Sequence, residues 1–384
     1  LRNKINVETG GMSIKIRSTK LTLPLLLTLI ISGVCSAEPL LPDGRRFRQI
    51  VADKYPTGVY IGGTTGWRKR SNGAGVTMDR EFSYVTPEND FKQRRIHPQP
   101  NIWNWTEADA WVEHCQKQQQ TLRIHGPIGP QCSAWAKRDN RTVGELRQNL
   151  IEFMTALCQR YDKHPHVKWM DVVNETVLQN GKWHHPKNGT EKWENPWLLL
   201  GNDTSHTLNP LLYIKLAFEL ANKNAPNTDL IINQHGGMEK LMWEKIKALV
   251  SYLRQHNLRV DGIGWQAHID VGWEQEANNM KQLDTLIDWA HDNQLSFHVT
   301  ENNVWLRDDE KDYQAQAQTF EAILRLLLKK RNGGVVTWNV WNLSDRDSWK
   351  KKMKLEGCLF DRNYRAKPAY YALQQVLENP PQAD

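Results

Sequence analysis

Eight short apolar or β-branched runs, each of strand length, constrain the fold of this chain more than any other feature. They read GVYIGG (58–63), FSYVTPEN (82–89), TLRIHG (121–126), VKWMDVVNE (167–175), DLIINQ (229–234), VDGIGWQAH (260–268), LSFHVTEN (295–302) and GVVTWNVWN (334–342). Most are hydrophobic at successive positions rather than at alternate ones, the pattern of strands covered on both faces in a parallel sheet. Between them lie helical patterns. Segment 106–119 opens on Thr106 with Asp109 three residues on, and segment 142–161 opens on Thr142 with Glu145 three on, a capping box. Segments 280–293 and 313–330 follow with apolar residues at a period of 3.6. Strand–helix alternation of this extent predicts an α/β protein, a single-domain (β/α)8 TIM barrel. A doubly wound open sheet is the alternative. It usually brings a Gly-rich phosphate turn after its first strand, and GGTTG (62–66) is too weak a match to serve.

In a β/α barrel the C-terminal strand ends face the active site, so the polar residues at those ends matter most. The second run ends in Glu88 and Asn89, with Lys92 just beyond, and the third in His125. The fourth ends in Asn174 and Glu175, the sixth in Gln266 and His268, the seventh in Glu301 and the eighth in Trp341. A carboxyl group at the end of a buried strand is held rigidly in a partly dry site, where it can stay protonated near neutral pH and donate a proton. A second carboxyl on the seventh strand lies across the mouth. Two carboxyls about 5–5.5 Å apart run a retaining glycosidase mechanism, and at about 6.5–9.5 Å the outcome is inversion. Taken singly, each residue has a plainer explanation. A lone strand-end Glu is a salt-bridge partner, His125 a core histidine, His184-His185 a solvated loop pair and WNLSDRDSW (341–349) a turn bracketed by Trp. Their convergence on one mouth is what favours a site.

Composition adds one pointer. The chain has 17 Trp against 8 Phe. Indole faces stack on the C–H faces of sugar rings, so the surplus points to carbohydrate, with a Trp-rich core as the equal alternative. The polar loop 178–205 carries Trp183, Trp193 and Trp197, and loops of that size are commonly functional or disordered.

The start of the chain reads as a targeting segment. Met12 is followed by Lys15, Arg17 and Lys20 and then by LTLPLLLTLIISGVCSA, a secretory signal with its cut near Ala37. Residues 1–11 lie upstream of that start, and 38–384 form the catalytic domain. Cys35 invites a lipoprotein reading, but Val34 is a poor residue before a lipidated cysteine. No other run approaches 18 apolar residues, so no membrane is expected after cleavage, and the protein is expected to be secreted or periplasmic and a monomer. The net charge of +7 includes five basic residues against Glu8 in 1–37, which leaves about +3 with no basic block, and a nucleic-acid partner loses its support. Cys115, Cys132, Cys158 and Cys358 remain, with three full pairings open. No CxxC or Cys/His ligand spacing is present, so neither a metal nor an organic cofactor is expected.

Six blocks in order make the chain resemble glycoside hydrolase family 10, the endo-β-1,4-xylanase family, from about residue 57 to 375. They are REFSYVTPENDFK (80–92), WMDVVNE (169–175), GIGWQAH (262–268), FHVTEN (297–302), WNLSDRDSW (341–349) and LFDRNYRAKPAYYAL (359–373). The resemblance implies a retaining endo-β-1,4-xylanase acting on a xylan-like polysaccharide, with Glu175 as acid/base and Glu301 as nucleophile. It also implies Asn174 on the sugar's 2-hydroxyl, and Glu88, Asn89, Lys92 and His125 around the sugar on the non-reducing side. Gln266 and His268 would orient Glu301, and Trp341 and Trp349 would be the stacking floor and wall. The departures are HGPIGPQ (125–131) in place of the family's His-Thr-Leu-Val-Trp-His, Asn302-Asn303 in place of Leu-Asp, and NQHGGMEK (233–240) in place of Asn-Asp-Tyr-Asn. They leave the carboxyl pair in place and bear on which β-glycan is cut, a decorated one included. A barrel that only binds glycans and a metal-assisted barrel hydrolase are the readings from other classes.

Overall fold

The computed structural model describes residues 41–130, 140–184, 195–307 and 311–384. The strands are β1 (Val59–Thr65), β2 (Tyr84–Pro87), β3 (Thr121–Ile124), β4 (Val167–Asn174), β5 (Asp229–Gln234), β6 (Gly262–Trp265), β7 (His268–Asp270), β8 (Ser296–Trp305) and β9 (Val336–Val340). All pairings are parallel. They run from β1 through β2, β3, β4, β5 and β6 to β8 and β9, and β9 returns to β1. Eight strands therefore close into a ring with no edge, which excludes the open sheet and makes the (β/α)8 barrel.

The sixth run is the one that the structure divides. Ala267 takes a left-handed φ of 59°, so β6 stops at Trp265 and the chain resumes as the short β7. Three residues of β7 pair with the far end of β8, His268 opposite Asn303. The break turns consecutive residues in different directions, which has consequences at the site.

The expected helices form at Thr106–Gln118, Val143–Tyr161, Asn279–Asp292 and Tyr313–Lys329. The Thr142 box is present, its side chain accepting from the Glu145 N–H while Glu145 answers the Thr142 N–H. Thr106 does not cap its helix. It is the first helical residue, and Asn104 Oδ1 accepts its N–H at 3.2 Å. Helices Phe47–Lys54, Ala74–Glu81, Leu212–Asn224, Lys240–Gln255 and Pro368–Glu378 join them in the coat, each burying one face.

The tryptophan surplus is mostly core. Trp111, Trp169, Trp197, Trp265 and Trp338 are fully buried. Several give their indole N–H a partner, as buried tryptophans usually do: Trp111 to Asp90, Trp265 to the Gly236 carbonyl and Trp338 to Asn302. In the loop after β4, Trp183 donates to the Leu208 carbonyl at 3.1 Å and Trp197 is buried, so both pin the loop down. Trp193 and His185 lie outside the described residues, as do residues 1–40, which hold the expected signal.

Cys115, Cys158 and Cys358 are free and buried, and burial pushes the Cys115 and Cys158 thiols up to about 12. Each full pairing of the four cysteines would join two of these three, so none of the three pairings forms. Cys132 lies outside the described residues. Among the described residues no helix is long and apolar enough to cross a membrane.

Candidate active site

A cleft of about 850 Å³ opens at the C-terminal end of the barrel. Its lining includes all eleven residues picked out above: Glu88, Asn89, Lys92, His125, Asn174, Glu175, Gln266, His268, Glu301, Trp341 and Trp349. They come from six places in the chain: most sit at or just past a strand end, whereas His268 opens β7, Glu301 lies within β8, which runs on to Trp305, and Trp349 stands in the segment after β9.

Glu175 follows the last residue of β4 and has a left-handed φ of 57°. Such a conformation is unfavourable for a residue with a Cβ, by something on the order of 1–3 kcal/mol, and is held by its surroundings. Here the Glu175 N–H donates to the Asn233 carbonyl at 3.0 Å, and the carboxylate turns in over the mouth. Its Oε1 accepts from Gln266 Nε2 at 2.9 Å and Asn174 Nδ2 at 3.2 Å. Gly129 makes the approach of the third-strand loop possible. Its φ is 156°, and a Cβ there would stand 2.7 Å from the Asn174 carbonyl oxygen.

Glu301 lies at an irregularity of β8, where the register with β9 shifts between Val299 and Asn302. Only 4% of it is exposed. Its Oε1 accepts from Asn233 Nδ2 at 2.9 Å and lies 3.7 Å from His125 Nδ1, and its Oε2 lies 3.3 Å from His268 Nε2. Burial by itself would raise the proton affinity of this carboxyl. The charge of His125, the His268 contact and Arg123 outweigh it and hold the group at about 2, so Glu301 is ionised across the ordinary pH range.

Gln266 holds Glu301 only through the main chain, its carbonyl accepting the Glu301 N–H at 3.1 Å, and not through the carboxylate. Its side chain reaches Glu175 and Asn174, because the left-handed turn at Ala267 separates its direction from that of His268. The amide on Glu301 is instead Asn233, at the end of β5. Asn233 Nδ2 bridges Glu301 Oε1 and Asn174 Oδ1, and its Oδ1 accepts from Thr300 Oγ1 at 2.7 Å. The strand-end rule would have found Asn233, since DLIINQ ends in Asn233-Gln234.

On the other side, Glu88 takes Lys69 Nζ at 2.5 Å and Asn89 Oδ1 accepts from Arg94 at 2.8 Å. Lys69 sits in a turn after β1 and had no signal in the sequence. Burial, with Arg94 beside it, lowers the Lys92 ammonium from its ordinary range, while Glu301, Glu175 and Glu88 act the other way. His125 donates its Nδ1–H to Asp171 Oδ2 at 2.8 Å, inside the barrel. Trp341 is 6% exposed and meets the His125 ring edge-on at 4.8 Å, whereas Trp349 is 41% exposed, its indole N–H donating to Asn303 Oδ1 at 3.4 Å and its ring 5.3 Å from that of His268. The backbone N–H of Trp349 donates to Asn342 Oδ1, and the segment between is fixed by the buried Lys367–Asp345 pair at 3.0 Å. The opposite end of the cleft carries His235, Glu239, Trp273 and Asn279.

A parallel β/α barrel with paired carboxyl groups, amide donors and aromatic walls at its C-terminal mouth is built as a glycoside hydrolase. The chain belongs to Glycosyl hydrolase family 10, whose pattern matches residues 49–376. It is similar to endo-1,4-beta-xylanase A of Caldicellulosiruptor saccharolyticus, 27% identical over 318 residues, which span 77% of this chain and 86% of that one. It is equally similar to endo-1,4-beta-xylanase B of Neocallimastix patriciarum, 27% identical over 332 residues. There the match spans 84% of this chain but only 35% of the longer relative. Among solved structures it resembles native xylanase 10B of Thermotoga maritima, with a TM-score of 0.74 and 25% identity, covering 87% of this chain and 98% of that one.

Proposed function

We propose that the protein is an endo-β-1,4-xylanase that cuts internal bonds of a xylan-like polysaccharide with retention, through Glu175 as acid/base and Glu301 as nucleophile. One observation carries the reading: a buried, ionised Glu301 is tied through Asn233 and Asn174 to a second, half-buried carboxyl, Glu175, at one mouth. The named relatives of the chain are endo-1,4-beta-xylanases, which supplies the substrate class.

In the first step Glu175 gives its proton to the glycosidic oxygen while a Glu301 oxygen attacks the anomeric carbon. The bond to the leaving sugar breaks and a glycosyl ester forms. In the second step Glu175, now a carboxylate, takes a proton from water, the hydroxide attacks the same carbon, and Glu301 leaves. Asn174 offers its amide to the 2-hydroxyl, a contact that strengthens as charge develops at the ring. Glu88, Asn89, Lys92 and His125 hold the sugar on the non-reducing side, and Trp341 and Trp349 give it apolar faces. Export of the protein is supported by the basic and apolar stretch that ends near Ala37.

The test is release of reducing sugar from xylan, arabinoxylan, mixed-linkage glucan, cellulose and mannan. Release is expected on the two xylans above all, with proton NMR showing the β-anomer first. An α-anomer formed first would mean inversion, and release only from glucan or mannan would overturn the substrate class. The arabinoxylan arm addresses the decorated-glycan reading, which the altered segment 125–131 favours. Trp341→Ala should raise KM about tenfold, a loss on the order of 1.4 kcal/mol of contact. Unchanged kinetics on a xylo-oligosaccharide would remove Trp341 from the site.

A further inference from the structure

Two residues before His125, β3 places a guanidinium wholly inside the barrel, beneath the cleft: Arg123 has no exposed surface. We propose that Arg123 is a positioning residue for Glu301, its fixed charge keeping that carboxylate ionised and its backbone in place. The inference rests on the reading of Glu301 as nucleophile.

Four contacts carry it. Arg123 Nη2 donates to the Thr300 carbonyl at 3.0 Å, so it grips the residue that precedes Glu301. Arg123 Nε lies 3.8 Å from Asp171 Oδ1, and Asp171 gives its other oxygen to His125 Nδ1 at 2.8 Å. That same nitrogen stands 3.7 Å from Glu301 Oε1. An ion pair built for stability would be a two-pronged fork at about 2.7–2.9 Å. This one is loose: among the described residues neither Arg123 Nε and Nη1 nor Asp171 Oδ1 makes a hydrogen bond. A buried cation so weakly paired is costly unless other charges balance it, and the carboxylates of the mouth lie above it.

The charged and titratable groups around both ends agree. Glu301 feels His125 and Arg123 from β3 and His268 from β7, and it bears on Lys92 beyond β2. Arg123 is faced by Asp171 of β4, Tyr84 of β2 and His298 of β8. Tyr84 is pushed up by burial, and His298 is pushed well down by burial and by Arg123 and Lys168. Both rings therefore stay neutral, and the guanidinium keeps its charge at any working pH. For Glu301 the sign is that of a depressed carboxyl. Its contribution is complete above the ordinary 4.5 and is lost as pH falls toward about 2.

The experiment is the pH profile of kcat/KM on a xylo-oligosaccharide for the whole protein and three variants. R123M and R123Q remove the charge, and R123Q keeps a donor for Thr300 should R123M fail to fold. Their acid limb should move up by at least about one pH unit, a tenfold loss or more at pH values below the new limb. R123K keeps the charge, and its acid limb should stay with the wild type while kcat falls. Activity reduced equally at every pH in R123Q, with its limb unmoved, would make Arg123 a packing residue and overturn the proposal. Retained activity in Glu301→Ala would instead remove the nucleophile reading, so the two failures are distinct.

Discussion

Glu301→Ala should leave a folded protein with no measurable turnover, a loss on the order of 10⁴–10⁶-fold in kcat. Folding should survive because the removed group has amide neighbours with other partners. Asn233 still meets Asn174 at 3.0 Å, and His125 still meets Asp171 at 2.8 Å. Azide is small and anionic, and it can enter the space the carboxylate leaves. Attack by azide on an activated aryl xylobioside is a single displacement, so the product should be the α-glycosyl azide. Rescue can be followed by release of the aryl alcohol, and the product's anomeric configuration by NMR. Circular dichroism and the melting temperature check the fold. An active wild type with no rescue at any azide concentration would count against Glu301 as the nucleophile.

Glu175→Gln has the second largest expected effect, about 10²–10⁴-fold on xylan, where the leaving sugar needs a proton. The loss should shrink on an aryl glycoside whose leaving group departs unaided. There the first step proceeds, and the slow step becomes attack of unassisted water on the glycosyl ester. Azide should accelerate that second step and, after two displacements, yield the β-glycosyl azide. The opposite configurations from the two variants separate the roles of the two residues. Equal losses on xylan and on the activated substrate would show that Glu175 is not the proton donor.

Much of this arrangement was legible in the chain because a barrel ties residue order to place. An apolar run that stops at Asn174-Glu175 or at Glu301 has to deliver those side chains to one end of the cylinder, whatever the loops do. The split of the sixth run was not legible. Nothing in VDGIGWQAH marks Ala267 for a left-handed turn, and without that turn Gln266 and His268 would be assigned to the same carboxylate. Arg123 and Asp171 were hidden for another reason. Polar residues inside apolar runs point into the barrel, where their meaning depends on which strands are opposite, and pairing is a long-range property. The tryptophan count was ambiguous because an indole suits a sugar face and a barrel core equally, and only burial separates Trp338 from Trp349. Cysteine arithmetic erred by assuming that an exported chain uses its thiols in pairs, whereas Cys115, Cys158 and Cys358 serve here as small core side chains.

Asn174, Asn233 and Gln266 hang from three neighbouring staves and share their amides with the carboxyls of Glu175, at the end of β4, and Glu301, on β8. A change at any of them is felt at both acids together, so the bond-breaking apparatus can hardly be retuned in small steps. The rim is free of that tie. The connections after β3 and β5, where this chain departs from the family's usual blocks, can drift toward new branches on the polymer while the carboxyl pair beneath them stays as stiff as the cylinder itself.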